Sequence, residues 1–201
     1  MKIQEAISHI RTDSKQRKFS QSFDLVINLK NIDLKKPESK FSKEIQLPHG
    51  RGKEINVGIM SDRISGAISR PDLEAIAADK KRVRMLVNEY EFFVAEAPLM
   101  PVVGKLLGKY LAPRGKMPKL LAPGRDHNAV VNELKQSVRV RVRDSPVIHA
   151  YVGSEKMSDQ QIKENAERLL EEILKTLPKG RDQIKNVYLK TTMGNPVKIE
   201  L

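Results

Sequence analysis

The residues from Thr191 to Gly194, within the stretch LKTTMGNPVKIEL, combine side chains suited to close, uncharged recognition. Threonine supplies a hydroxyl, methionine an adaptable apolar contact, and glycine lets another molecule approach the backbone. Alternation with Val187 and Leu189 points Thr191 inward and Thr192 outward. These residues therefore predict a contact site for a folded partner, and a plain strand end followed by a turn is the alternative interpretation.

The charge of the chain indicates the chemical class of that partner. Lys and Arg together number 37 against 25 for Asp and Glu, a formal net charge of +12 in 201 residues. A surplus of this size is typical of proteins that bind a polyanion, most simply a phosphate backbone. The cations are spread along the sequence, so a folded surface should carry them. Aromatic residues are few (5 Phe, 4 Tyr and no Trp), which argues against binding by the stacking of many bases.

Two basic segments could add phosphate contacts. The alternating VRVRVRD places Arg139, Arg141 and Arg143 on one strand face, for which a solvated outer face is the alternative. The segment LAPRGKMPK brings Arg114 and Lys116 together among Gly and Pro. Backbone NH groups beside cations can clamp a phosphate, and a soluble loop is the alternative here.

Catalytic and metal-binding chemistry finds no support in the sequence. The four histidines lack metal-ligand spacing, and neither cysteine nor an HExxH motif is present. GKLLGK at 104–109 lacks the spacing and hydroxyl residue of a phosphate-binding loop, and GxGxxG is absent. We predict no enzyme, no metal and no cofactor. Without a signal-peptide pattern, a membrane-spanning window or cysteine, a cytoplasmic protein is expected.

Hydrophobic periodicity divides the chain into three sections, of which the first is incomplete. It contains an amphipathic helix over 2–12, a strand over 23–29 with one face buried, and FSKEIQL (41–47) as a partner strand. One helix and two strands are too few to enclose a core. This section must therefore be completed by residues from elsewhere.

The middle section predicts a parallel α/β layer. The apolar runs at 55–60 and 92–97 are typical of strands covered on both faces. A helix begins after Ser69 and continues across a break near Asp79, and another begins at Pro101. This order of strands and helices favours a small three-layer, Rossmann-like domain.

The last section supplies what the first lacks. Asp126 can cap a helix, VRVRVRD and VIHAYVG can pair as a hairpin, and Ser158 with Gln161 forms a capping box for a long helix. IKNVYLKTT is a further long strand, and PVKIEL can add a short one. Together with the first section these elements predict an α+β domain with a split β-α-β-like antiparallel sheet.

The predicted domain organisation is discontinuous. Residues 1–53 and 125–201 form one domain, and residues 54–124 form the inserted α/β domain. The Pro- and Gly-rich linkers LPHGRGK (47–53) and LLAPGRD (120–126) bracket the insertion. Two chain crossings without another covalent connection favour a two-strand hinge.

Five segments stand in an order and spacing known from one protein family. They are FSQSFDLVINL (19–29), LPHGRGK (47–53), VGKLLGKYLAPRGKMP (103–118), IHAYVG (148–153) and TTMG (191–194). On these segments the chain resembles the ribosomal protein L-one family, the protein of the large subunit's mobile stalk, in its archaeal form. One departure is Asn195 before Pro196, where the family usually has Pro-Ser after Met-Gly.

The resemblance implies a function and a set of contact residues. It implies direct binding of large-subunit rRNA at the stalk, repression of translation through the protein's own operon mRNA, and help in releasing deacylated tRNA from the exit site. It also implies a monomeric free protein in the cytoplasm and the large ribosomal subunit, with no membrane or DNA partner. The RNA-binding residues implied by position are Lys18, Phe19, Ser20, Ser22, His149, Lys156, Thr191, Thr192, Met193 and Gly194. Candidate additional RNA contacts are Arg139, Arg143, Arg114 and Lys116.

Two other functions remain as alternatives. A nucleoid-type DNA binder would share the positive charge, but its affinity should not depend on RNA shape. Competition with duplex DNA therefore distinguishes it. A small-molecule enzyme on the α/β domain would need a pocket with titrating groups, which the sequence does not show. Thermal-shift screening with nucleotides would reveal such a pocket.

Overall fold

The chain has a mixed α/β fold, as predicted, in this computed structural model. The described residues are 1–15, 17–34, 36, 39–122 and 124–200. Contacts divide the chain into two units, Met1–Lys53 with Gln136–Leu201, and Glu54–Lys135. Pro123, part of the second predicted linker, lies outside the described residues.

The helices and strands largely follow the predicted periodicity. In chain order they are α1 (Ile3–Asp13), β1 (Ser22–Leu29), β2 (Phe41–Gln46), β3 (Val57–Met60), α2 (Arg70–Ala78), α3 (Lys80–Glu89), β4 (Phe92–Glu96), α4 (Met100–Leu111), β5 (Lys119–Leu121), α5 (His127–Lys135), β6 (Ser137–Val142), β7 (Val147–Ser154), α6 (Asp159–Thr176), β8 (Ile184–Thr191) and β9 (Val197–Ile199). The predicted break is confirmed at Asp79, whose carboxylate accepts a hydrogen bond from the backbone of Lys81 (2.7 Å) and so starts a new helix. The predicted capping box of Ser158 and Gln161 begins α6.

The first unit is organised around β1, the second strand in an antiparallel sheet of order β7-β1-β8-β9. Both β7 and β8 run antiparallel to β1, and α6 connects them. The β7-α6-β8 segment is therefore a split β-α-β unit with β1 between its strands. Alternate residues of β1, including Phe23 and Ile27, are fully buried in one core with Ile7 of α1 and Leu169 of α6. The helices thus cover one face of the sheet and bury it.

Two predicted strand pairings are wrong. The hairpin of VRVRVRD with VIHAYVG does not form, because β6 pairs with β2 in a separate two-stranded sheet. The 23–29 strand is not paired with FSKEIQL, since β1 lies between β7 and β8. Alternation shows which residues of a strand face the core, but several neighbours can satisfy the same alternation.

The second unit has the three layers that the sequence predicts for it. Its strands form a parallel sheet of order β3-β4-β5. One face packs against α2, α3 and α4 through Phe93 and Ala95 of β4. The other face presents Phe92 and Val94.

The second boundary between the units differs from the predicted one. The sequence places α5 in the domain of 125–201, whereas the structure places it in the second unit, which continues to Lys135. Val130 and Leu134 of α5 are buried against Phe92 and Val94. Without α5 one face of this parallel sheet would leave its apolar residues exposed to water, which is unfavourable.

Candidate nucleic-acid interface

The end of β8 lies beside the start of β1, which brings Thr192 against Ser22. The backbone NH of Thr192 donates to the carbonyl of Ser22 (3.0 Å). In return the backbone NH of Ser22 donates to Thr192 Oγ1 (2.9 Å), and the two hydroxyl oxygens are 2.9 Å apart. Two predicted RNA-binding residues separated by 170 positions therefore form one hydrogen-bonded pair.

Asp24 extends this pair into a chain of hydrogen bonds. The hydroxyl of Ser22 donates to the Asp24 carboxylate, at 3.3 Å to Oδ2. Ser22 has a single hydroxyl hydrogen, so when that hydrogen is directed to Asp24 the donor in the contact between the two hydroxyls is Thr192. Burial raises the pKa of the Asp24 carboxyl above its ordinary value of 3.8. The hydrogen bond from Ser22 and the charges of Lys190 and His149 oppose that rise. Thr192 therefore presents an acceptor oxygen to a ligand.

Gln21 holds the segments around this pair in place. Its buried side chain donates to Ser14 Oγ (2.9 Å) and accepts from the backbone NH of Met193 (3.3 Å). Its backbone exchanges hydrogen bonds with Glu155, next to the predicted contact residue Lys156. Sequence reasoning missed Gln21. The available signal was a polar residue just before β1, at a position that the alternation of the strand predicts to be buried.

The turn after β8 needs glycine for steric reasons. Thr191 is buried, as predicted, and its Oγ1 has no hydrogen-bond partner among the described residues. The backbone NH of Gly194 donates to the carbonyl of Thr191 (3.2 Å), and a Cβ on Gly194 would overlap Thr191 Oγ1. The φ angle of Gly194 is not in the left-handed region, so close approach is the reason for glycine here. Met193 and Phe19 are 61% and 51% exposed, so both offer apolar contact area.

The remaining predicted residues of the first unit lie around this turn and at the end of β7. Lys18 and Ser20 are exposed on either side of Phe19, and Ser20 Oγ lies 3.2 Å from Ser154 Oγ. Lys156 is exposed, and its backbone NH donates to Ser154 Oγ (3.4 Å).

A depression of about 210 Å³ adjoins the turn. Its lining residues are Asp13, Ser14, Lys15, Arg17, Gln21, Met193, Gly194 and Asn195. Asn195, the departure from the family pattern, donates to Asp13 (3.3 Å) and ties the turn to the end of α1.

The outer face of the sheet, which is the face opposite the helices, adjoins these residues and extends the candidate interface. The register places Tyr151, Asp24 and Lys190 in one row across β7, β1 and β8. The next row has His149, Val26, Tyr188 and Lys198. These side chains are half-buried or exposed. The predicted contact His149 therefore shares a surface with two tyrosines and two lysines that the sequence reasoning did not select. Strict alternation along IKNVYLKTT indicates two of them, Tyr188 and Lys190.

Tyr151 connects the segment LPHGRGK (47–53) to the sheet. The guanidinium of Arg51 lies 5.0 Å from the centre of the Tyr151 ring, and the Tyr151 hydroxyl donates to the carbonyl of Arg51 (2.8 Å). Asn165 of α6 donates to the carbonyl of Gly50 (3.0 Å) and accepts from the backbone NH of His49 (3.2 Å). This family-like segment is thus attached to the edge of the sheet near the interface.

Arg139 lies in β6, on the two-stranded sheet, and Arg143 directly follows the last residue of β6. Arg139 is mostly buried and donates to Glu44 (3.2 Å), the residue opposite it on β2. Arg143 lies 3.8 Å from Asp144. An ion pair across two strands gives Arg139 a structural role, and its burial shows that it does not lie on a solvated outer face.

The structure gives Arg114 and Lys116 structural contacts in the second unit. The ammonium group of Lys116 donates to the carbonyls of Val87 and Tyr90, each at 2.7 Å. Arg114 donates to Asn88 (2.7 Å). Both cations therefore lie at the C-terminal end of α3, where a positive charge stabilises a helix.

Two negative findings concern the described residues only. Within the described ranges, no group of three or more His, Asp or Glu side chains is arranged to hold a metal ion. Across the same part of the chain, no helix is long and apolar enough to cross a membrane.

Comparison with known proteins identifies the family. The model of the ribosomal protein L1p/L10e family matches residues 10–195. The chain belongs to this family. The match includes β1 and β8, both residues of the Ser22–Thr192 pair and the whole second unit.

Archaeal members of the family align over nearly the full chain. The large ribosomal subunit protein uL1 of Pyrococcus horikoshii is 46% identical over 209 aligned positions, which cover 99% of this chain and 95% of the relative. The protein of the same name from Methanothermobacter thermautotrophicus is 40% identical, with 98% of each chain covered. That from Thermoplasma volcanium is 41% identical, with 98% and 95% covered. The predicted resemblance to the archaeal form is thus confirmed.

Proposed function

We propose that this chain is a cytoplasmic component of the large ribosomal subunit that binds large-subunit rRNA directly at the mobile stalk. The observation that carries the proposal is the contact between the start of β1 and the residue that follows β8. There the Ser22–Thr192 pair is preceded along the chain by exposed Phe19 and followed by exposed Met193. The printed names of the family relatives and the net charge of +12 support a ribosomal RNA partner.

Each part of the interface has a distinct task in this proposal. Lys18, Lys156 and Lys190 attract the phosphate backbone without regard to sequence. The outward acceptor of Thr192 and the close approach permitted by Gly194 suit the 2′-hydroxyls and shape of a folded RNA. The exposed Met193 covers apolar surface of the bound RNA. Shape and charge together favour one RNA fold over duplex DNA.

Further activities belong to the same proposal. A messenger segment from the protein's own operon that copies the rRNA shape would bind the same interface, and binding would block its translation. On the ribosome, the stalk would assist the release of deacylated tRNA from the exit site. The free protein would act as a monomer, since one chain supplies every residue of the interface.

The main RNA site is assigned to the first unit. Its core, built around residues such as Ile7, Phe23 and Leu169, draws only on residues of that unit. Joining residue 53 directly to residue 136 should therefore leave a folded protein that still binds rRNA. A demonstrably folded deletion variant that had lost all specific binding would contradict the assignment.

A pair of exposed methionines gives a controlled test of the interface. Met193 is 61% exposed beside Thr192, and Met85 is 69% exposed on α3 of the second unit. Met193→Ala should weaken binding of a labelled rRNA stalk fragment several-fold, whereas Met85→Ala should leave it unchanged. Neither change should alter the unfolding temperature, because both side chains already lie in water.

The competitor identifies the kind of nucleic acid. Excess duplex DNA should fail to displace the rRNA fragment, and the leader of the protein's own messenger should displace it. Efficient displacement by duplex DNA would support the nucleoid-type alternative instead.

A further inference from the structure

A cavity of about 360 Å³ lies at one edge of the parallel sheet in the second unit. Glu96 ends β4 opposite Leu121 of β5, and both line the cavity. Arg63, which follows β3, and His127, which begins α5, line it as well. The cavity is therefore at the carboxyl edge of the strands, where open α/β sheets bind ligands, and its volume suits a small molecule. The proposed rRNA interface lies wholly in the other unit.

The charges around the cavity favour an anionic group. Arg63 is exposed, and its guanidinium makes no hydrogen bond or ion pair with any residue that the structure describes. Arg125 also lines the cavity and donates one NH group to Glu133 (2.6 Å), which leaves further donors of the guanidinium for a ligand. His127 lies 3.7 Å from Asp126. Two guanidinium groups that converge on one cavity are suited to a phosphate.

Ser61 fixes the position of the acidic residue in the cavity. Its buried hydroxyl donates to Glu96 Oε1 (2.7 Å) and accepts from the backbone NH groups of Arg63 (3.0 Å) and Ile64 (3.2 Å). The same hydroxyl thus orients the Glu96 carboxylate and the turn that carries Arg63. Within the described residues Glu96 Oε2 has no hydrogen-bond partner, so it is an acceptor for NH or OH groups of a ligand.

The rest of the lining is apolar. Ile64, Pro98 and Leu121 line the same cavity as the charged groups. A ligand that matches the guanidinium groups, the apolar lining and the Glu96 carboxylate has a phosphate, a flat body with an apolar face, and NH or OH donors. These are the parts of a nucleotide.

We propose that this cavity binds a nucleoside monophosphate group, as a free nucleotide or as an unstacked nucleotide of an RNA strand. The phosphate lies between Arg63 and Arg125, the base packs on Ile64 and Leu121, and Glu96 accepts hydrogen bonds from the base or ribose. The site is a binding site, and no reaction is assigned to it.

The test is a titration of the full-length protein with AMP, GMP, CMP and UMP, followed by backbone amide resonances. At least one nucleotide should bind saturably, with the largest shifts at 61–64, 96–98 and 124–127. Arg63→Ala should weaken that nucleotide at least tenfold. Arg84→Ala is the matched control, because Arg84 is exposed on α3 and outside the cavity, and it should change nothing. Glu96→Gln retains an acceptor for Ser61 and should weaken the nucleotide at least threefold.

The ligand series distinguishes the two sources of the nucleotide. Tighter binding of a single-stranded trinucleotide than of the monophosphate, lost in Arg63→Ala, would identify an RNA nucleotide as the occupant. Tighter binding of the monophosphate would identify a free nucleotide. Three results would overturn the proposal: no saturable shifts at the cavity with any of these ligands, equal affinity of wild type and Arg63→Ala, or displacement by inorganic phosphate as effective as by the nucleotide.

Discussion

Replacing Thr192 with valine tests the hydrogen-bonded pair on which the proposed RNA interface depends. Valine keeps the shape and β-branching of threonine and removes only the hydroxyl. The change takes away the acceptor of the Ser22 backbone NH and the donor to the Ser22 hydroxyl, both at 2.9 Å. The acceptor that Thr192 is proposed to offer to RNA disappears with them.

The expected magnitudes follow from these contacts. Both hydrogen bonds are at the surface, where water can replace part of each, so the free energy of unfolding should fall by about 1 kcal/mol. In the complex a desolvated RNA donor would lose its partner, which costs about 1–3 kcal/mol of binding free energy, or roughly 5- to 150-fold in affinity. No charge is removed, so the salt dependence of binding should not change.

The assay is rRNA stalk-fragment binding at several salt concentrations, combined with denaturant unfolding of each variant. Thr191→Val is the matched control, because Thr191 is its neighbour but buried, with no hydrogen-bond partner for Oγ1 among the described residues. Its RNA affinity should be unchanged and its stability equal to or above that of wild type. Equal RNA affinity of Thr192→Val and wild type would refute the reasoning and reduce the cluster to an ordinary strand end.

The other predictions concern a close contact, a helix end and a buried carboxyl. Gly194→Ala should lower both stability and RNA affinity, by about 1–3 kcal/mol in unfolding free energy, because its Cβ would overlap Thr191 Oγ1; unfolding and binding curves measure the two effects. Lys116→Met should destabilise the protein by about 1–2 kcal/mol in denaturant unfolding while rRNA affinity is retained, since its ammonium binds carbonyls such as that of Tyr90. The folded-state pKa of Asp24 lies above the ordinary 3.8, so the folded protein binds the Asp24 proton more tightly than the unfolded chain does. Ionisation of Asp24 therefore lowers the free energy of unfolding as pH rises from 3.8 through the raised pKa. Asp24→Asn should remove this contribution, so its stability advantage over wild type should grow with pH across that window; an advantage independent of pH would contradict the cause.

Much of the local structure could be predicted from the sequence, because periodicity records which side of each element is buried. The burial alternation of β1, the break at Asp79 and the capping box of Ser158 all follow from residue types within a few positions of one another. The inward direction of Thr191 follows from the same alternation. Membership of the ribosomal family was also evident in the order of five segments, since motifs of this length rarely share a spacing by chance.

Contacts between residues that are distant in the sequence were decided only by the tertiary structure. Alternation cannot distinguish one neighbouring strand from another, so the pairing of β6 with β2 and the packing of α5 on the second unit depended on which surfaces fit together. The hydrogen bonds that join Thr192 to Ser22, and those that tie Lys116 to the end of α3, are likewise set by the folded backbone. The sequence showed no pocket, because Arg63, Glu96 and His127 are far apart along the chain. A parallel sheet places the carboxyl ends of its strands at one edge, which brings Arg63 and Glu96 to a single cavity that His127 lines from the start of α5.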